Sequence, residues 1–153
     1  MFREYDIRGR VNKEELCPEN VYKIVKAYCK YLKRRNITRA VCGYDNRACS
    51  PAFAEAAVKA LRECGIDVFF TGLSLSPLVY FAQYYLKCEG AVMITASHNP
   101  DGWSGFKLAK GYSKTLEPDD IKEVYSLLDT PDEPCAMGSY EEVNVRDAYI
   151  DDI

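Results

Sequence analysis

The segment Thr95-Ala96-Ser97-His98-Asn99-Pro100 holds the residues of this chain best suited to chemistry. Ser97 follows the apolar run Gly90 to Thr95, which reads as a buried strand. A hydroxyl at that point is carried by a rigid element, and its small neighbours leave it accessible. His98 and Asn99 add polar groups, and Pro100 fixes the turn. The plain alternative is an ordinary strand-to-loop turn, in which such residue types are common. A serine hydrolase would need a G-x-S-x-G elbow or a histidine brought from elsewhere in the fold. The chain has no such elbow, and its single histidine is His98 itself. Side chains adjacent on an extended segment point to opposite sides, so His98 cannot serve Ser97 as a triad base.

The loop has to be positioned by the elements around it. A short extended piece, Tyr5 to Arg8, ends at Gly9. From about Pro18 to Arg35, Val21, Ile24, Val25, Tyr28, Cys29 and Leu32 recur at helical spacing. A strand over Ala40–Tyr44 breaks into Asp45-Asn46-Arg47. Ser50 is expected as the N-cap of a second helix with Pro51 at its first position. Phe53, Ala56, Ala57, Ala60, Leu61 and Cys64 form its stripe, and Gly65 stops it. Ile66–Phe70 reads as a strand. Ser76-Pro77 opens a third helix with Leu78, Phe81, Ala82, Tyr85 and Leu86 on one face. Phe106-Lys107-Leu108 reads as a further strand, and Pro118 opens a last helix with Ile121, Val124, Tyr125 and Leu128 facing inward. Strands alternating with helices predict an α/β fold: a three-layer α/β/α domain with a mixed, mostly parallel sheet of about four strands. Ligands of such folds lie outside the carboxyl ends of strands. The loops after Tyr44, Gly72 and Thr95 all leave such ends.

Residues 1–129 are expected to form this domain, with 130–153 a linker and the truncated start of a second. Thr130 to Ser139 contains two prolines, a glycine and two acids. Beyond it, Val143, Val145, Tyr149 and Ile150 have apolar surface to bury, at roughly 1.5–3 kcal/mol per large side chain. Ordering a terminal segment costs about 1–2 kcal/mol per residue, so fraying of 140–153 is expected.

Composition bounds the function. Of 153 residues, 48% are apolar, enough for the core of one ordinary domain. The net charge of −3 is well mixed and leaves no basic footprint for nucleic acid or a membrane surface. No apolar run approaches the roughly 18–20 residues that cross a bilayer. The charged start does not read as a signal peptide, and the chain is read as soluble and cytoplasmic. The seven cysteines are odd in number and none are spaced as C-x-x-C. They read as small core residues in a reducing compartment, and with one histidine they do not form a zinc site.

Four motifs carry a resemblance. Phe2-Arg3-Glu4-Tyr5-Asp6-Ile7-Arg8-Gly9 resembles the opening motif of the phosphomannomutase/phosphoglucomutase group of alpha-D-phosphohexomutases. Thr95 to Pro100 resembles that superfamily's active-site serine loop. Gly43-Tyr44-Asp45-Asn46-Arg47, followed by Ser50, and Gly105-Phe106-Lys107 resemble the segments on either side of it. Together they run in family order over most of residues 2–108.

The resemblance implies the N-terminal, serine-bearing domain of a four-domain enzyme that interconverts hexose 1-phosphate and hexose 6-phosphate, of mannose or glucose. Ser97, as phosphoserine, would pass its phosphoryl group to the sugar and recover one from a bisphosphorylated intermediate. The resemblance assigns catalysis to Ser97, His98, Lys107 and Arg8, and substrate binding to Tyr5 and Asn99. Mg²⁺ would be held by phosphorylated Ser97 and by aspartates of the second domain. No D-G-D-G-D stretch occurs here, so those ligands lie outside this chain. The implied partners are the hexose phosphate and the missing C-terminal domains, and the isolated domain is expected to be inactive. Arg8 is a fixed cation able to contact several phosphoryl oxygens. Lys107 matches a lysine proposed for proton transfer, work that requires a lysine pKa pulled below its reference of about 10.4.

One departure stands out: the family commonly has Asn-Gly where this chain has Ser104-Gly105. Serine is expected to replace the asparagine's local backbone bond with a weaker one. Trp103, just before it, reads as a loop anchor or a sugar-stacking platform. A different function class stays open on the residues alone: a non-catalytic module that binds a phosphosugar or another domain through the same loop.

Overall fold

The computed structural model describes Phe2, residues 6–96 and residues 99–153. The elements run β1 (Ile7–Arg10), α1 (Pro18–Lys33), β2 (Arg39–Tyr44), α2 (Ser50–Glu63), β3 (Asp67–Leu73), α3 (Ser76–Leu86), β4 (Gly90–Ile94), β5 (Trp103–Gly111), β6 (Lys114–Thr115), α4 (Pro118–Ser126), β7 (Tyr140–Glu142) and α5 (Arg146–Asp152). The sheet order is β1-β5-β4-β2-β3-β7, with β6 on β5. It has seven strands among the described residues rather than about four. The added ones are short: β6 is a two-residue return on β5, and β7 is a three-residue strand with every residue exposed, so neither shows an apolar pattern. The strands are parallel across β4-β2-β3-β7 and antiparallel across β1, β5 and β6.

The strand period of two divides the core. On β4, Val92 and Ile94 join the cluster under α1, α2 and α4, while Ala91 and Met93 join the cluster under α3. Helices therefore cover both faces, as α/β/α layering requires. Every residue of the α1 stripe read from sequence is buried. Tyr28 carries a polar group into that stripe. Its hydroxyl donates to the Ala109 carbonyl at 2.5 Å and accepts from the Ala91 N–H at 3.1 Å, joining β5 to β4. Burial pushes the phenol far up, which keeps the donor proton in place.

The face assigned to α3 is a correction. Val79, Ala82 and Gln83 are buried there, whereas Tyr85 is 59% exposed. α3 is apolar nearly all round, so periodicity does not select a face. Gln83 selects it: its amide nitrogen donates to the Glu89 and Gly111 carbonyls, and its amide oxygen accepts from the Ser113 N–H. Leaving such a group buried without partners would cost about 1–3 kcal/mol, and here it is satisfied. The α4 stripe shifts too: Leu127 is buried, and Tyr125 is exposed with its ring edge-on to Phe2.

β1 approaches β5 closely at one point. Arg8 pairs with Gly105, and a Cβ there would collide with the Ile7 carbonyl oxygen and lie 3.0 Å from Arg8 Cα. Backbone atoms cannot yield as a flexible side chain could, so glycine is required on packing grounds. Ser104 does not make the local backbone bond expected of it. Paired with Gly9 in the ladder, it is fully buried and its hydroxyl has no hydrogen-bond partner among the described residues. The two positions thus differ in sign. Gly105→Ala should destabilise the fold by about 1–3 kcal/mol in a denaturant titration, whereas Ser104→Ala should be neutral or stabilising.

Residues 140–153 take up the open edge of β3. Val68–Phe70 pair with Tyr140–Glu142, Val143 N–H donates to the Phe70 carbonyl at 2.9 Å, and α5 packs on α3 through an edge-on Phe81–Tyr149 contact. The fraying expected from sequence is countered by backbone pairing that an apolar count does not register. Burial there stays slight, with Val145 the one buried residue of the segment. Native-state hydrogen exchange should show β2 and β4 amides protected close to the global stability and β7 amides opening far more readily. Equal protection across Tyr140–Ile153 and β2 would show that the segment belongs to the same cooperative core.

Candidate active site

Parallel pairing brings the ends of β2, β3 and β4 to one edge of the sheet. Gly43 lets them meet there: a Cβ at this position would fall 2.7 Å from Thr71 Oγ1 and 2.8 Å from Val79 Cγ2. Backbone bonds then tie the loops, Ser74 N–H to the Tyr44 carbonyl at 2.8 Å and Asp45 N–H to the Ile94 carbonyl at 2.9 Å. Thr95 leaves β4 with its N–H on the Gly105 carbonyl at 2.8 Å, so the serine loop starts from a fixed point. Asn99 N–H donates to the Ala96 carbonyl at 3.1 Å, across positions 97 and 98. Ser97, His98 and Tyr5 lie outside the described residues.

The structure brings together Arg8 and Asn99 and sets Lys107 on the same sheet face as Arg8. Arg8 Nη1 donates to Asn99 Oδ1 at 2.7 Å and Nε to Asp6 Oδ2 at 2.8 Å. Lys107 pairs with Met93 on β4 and lies two residues along β5 from Gly105, the partner of Arg8. Strand alternation puts Arg8, Gly105 and Lys107 on one face, opposite the core-facing Ile7, Phe106 and Leu108. α3 lies over β2 and β4 on that face, which leaves both cations near solvent. Lys107 is half-buried and makes no hydrogen bond or ion pair among the described residues. Its ammonium is thus a cation without a carboxylate beside it, in contrast to Arg8.

Sequence reasoning gave no role to Arg47, although it quoted the motif that contains it. Arg47 Nη2 donates to the Asn99 carbonyl at 2.5 Å, and Nη1 to the Pro100 and Trp103 carbonyls at 3.1 and 3.4 Å. Its Nε lies 3.3 Å from Asp45 Oδ2. Asp45 Oδ1 accepts from the Arg47 N–H and from the Ser50 hydroxyl. That last bond explains why Ser50 is not the N-cap expected of it: α2 starts at Ser50, and the hydroxyl is turned to Asp45. Trp103 is an anchor of the loop, with Arg10 over its ring at 5.2 Å.

Between these loops lies an open cavity of about 500 Å³, lined by Asp45, Asn46, Arg47, Ser74, Thr95 and Asp101 among others. Its size is that of small-molecule sites, roughly 300–1,000 Å³. The lining is polar and suits a hydroxyl-rich ligand, while its one cation, Arg47, is held against Asp45 and the loop carbonyls. No group of three His, Cys, Asp or Glu that could hold a metal ion occurs among the described residues. No helix of the described residues is long and apolar enough to cross a membrane.

Comparison with known proteins agrees with this geometry. The sequence profile of phosphoglucomutase/phosphomannomutase, alpha/beta/alpha domain I, matches residues 1–134. A phosphomannomutase of Salmonella montevideo is 39% identical over 155 residues, covering 98% of this chain and 33% of the relative. A phosphoglucomutase of Neisseria meningitidis is 35% identical over 153 residues, with 98% and 33% covered. A solved phosphoglucomutase/phosphomannomutase family protein from Burkholderia thailandensis superimposes with a TM-score of 0.88 at 28% identity, over 98% of this chain and 34% of the other. The chain thus spans about a third of the length of these relatives. With a profile match over most of its length, the chain belongs to the phosphoglucomutase/phosphomannomutase family, as its alpha/beta/alpha domain I.

Proposed function

We propose that this chain is the serine-bearing domain of a phosphohexomutase that interconverts the 1- and 6-phosphates of mannose or glucose. The observation that carries the reading is the hydrogen bond from Arg8 to Asn99 on the loop that contains Ser97, with Lys107 on the same face of the sheet. Ser97 is the covalent relay. Its Oγ–P bond breaks as an O–P bond forms to a sugar hydroxyl, whose proton passes to a nearby base. The bisphosphorylated sugar then reorients, and its other phosphate returns to Ser97.

Phosphoryl transfer asks a protein mainly for positioning and charge stabilisation. Arg8 offers guanidinium donors to the phosphoryl oxygens and orients Asn99. Lys107 supplies the cation beside the transferring group and is the candidate for carrying the hydroxyl proton. His98, Tyr5 and Asn99 complete the sugar and loop contacts in this reading. The family likeness also implies Mg²⁺. In this reading the chain would supply one ligand, a phosphoserine oxygen at Ser97, and the remaining domains the others. Residues 130–153 are read as the lead into the next domain, and the hexose phosphate is held jointly with the remaining domains. All seven cysteines are free, in keeping with a reducing, cytoplasmic setting.

The test is Ser97→Ala in the full-length protein. Turnover of hexose 1-phosphate should fall below detection while the melting temperature stays within a few degrees of the parent. A folded Ser97→Ala protein with parental turnover would overturn the assignment of Ser97 as the relay, and a parent protein that binds hexose phosphate without turning it over would favour a module that binds phosphosugars without transferring phosphate. The 153-residue chain alone should show no turnover, because most of the groups that bind the transition state lie outside it.

A further inference from the structure

We infer that Arg47 is a positioning residue of the serine loop, a clamp that fixes where the phosphoryl-carrying hydroxyl stands. The inference rests on the reading of Ser97 as that carrier. Three observations carry it.

The first is the set of partners. Arg47 donates to three main-chain carbonyls of one loop arm, those of Asn99, Pro100 and Trp103. A planar guanidinium can span several oxygens at fixed angles, which an ammonium cannot. The second is the mounting. Arg47 is only 16% exposed and stands against Asp45, which is itself tied through its N–H to the last carbonyl of β4 at Ile94. The loop leaves the sheet after Ile94 and rejoins it at Trp103, and both places are bound to the segment Asp45–Arg47. Its departure and return are therefore fixed to one rigid post.

The third is Asn99, two residues beyond Ser97. Arg8 holds its side chain and Arg47 holds its carbonyl. These two bonds, with the Asn99 N–H on Ala96, constrain the backbone on the downstream side of Ser97. The Arg47 donors named here face protein oxygens and a carboxylate. Their role is to place the loop, and the substrate phosphate is left to Arg8 and Lys107.

Kinetics and fluorescence test this together. Trp103 is the sole tryptophan of the chain, and its carbonyl is one of the clamp's acceptors, so its emission reports the loop arm. Arg47→Gln in the full-length protein should lower kcat on the order of 100-fold, the size of loss that a displacement of about 1 Å produces. KM for hexose phosphate should stay within about threefold, since uniform binding is not removed. In the 153-residue chain the same change should raise acrylamide quenching of Trp103. Arg47→Lys keeps the charge and tests the geometry: it should recover only a small part of kcat. A rise in KM at unchanged kcat would overturn the proposal in favour of substrate binding. Full recovery by lysine would overturn it in favour of charge alone, and unchanged kcat and quenching in Arg47→Gln would show that no clamp operates. The fluorescence arm needs no activity. If Ser97→Ala retained turnover, the reading of Ser97 as the carrier would fail while Trp103 quenching still judged the clamp.

Discussion

A loop that leaves the sheet loses the partners of the strand ladder, so its backbone groups need partners of another kind. Here guanidinium groups supply them. Arg47 reaches from the loop after β2 to three carbonyls between Asn99 and Trp103, and Arg8 reaches from β1 to the Asn99 side chain. Each cation has its own carboxylate, Asp45 for Arg47 and Asp6 for Arg8. The carboxylates anchor the cations and offset their charge, whereas Lys107 has no acidic partner among the described residues. Orientation and charge are thereby divided between different residues.

The rest of the fold makes that arrangement possible. Arg8 reaches the loop because β1 lies tight against β5, an approach that a side chain at position 105 would prevent. Arg47 reaches it because β2 and β4 are neighbours in parallel register and end at the same edge, with Asp45 bonded to Ile94. Tyr28 joins β4 to β5 from the opposite face, so the loop springs from two strands that are held together. The antiparallel half of the sheet carries Arg8 and Lys107, and the parallel half carries Arg47 and the cavity.

Much of this was legible in the sequence, for physical reasons that can be named. α1 could be read because its apolar residues recur at helical period against charged ones. β4 could be read as an unbroken apolar run buried on both faces. The face of α3 could not, because apolar residues surround it and the choice falls to the hydrogen bonds of Gln83. β7 could not, because an edge strand held by three backbone pairings has no side-chain signature. At the site, Arg8 and Lys107 were found through motif likeness, and their shared face follows from a register that sequence does not reveal. Arg47 was quoted within a motif but given no task. Its partners are main-chain carbonyls more than 50 residues away, and carbonyls leave no trace in residue types.

The account turns on one atom, the Ser97 hydroxyl. The most direct measurement is to incubate the full-length protein with a hexose 1,6-bisphosphate and locate the bound phosphate by peptide mass spectrometry. The account predicts a single phosphorylated site at Ser97, which empties on adding hexose monophosphate. Phosphate found on another residue, or a Ser97 that stays unmodified in a protein that is turning over, would contradict it.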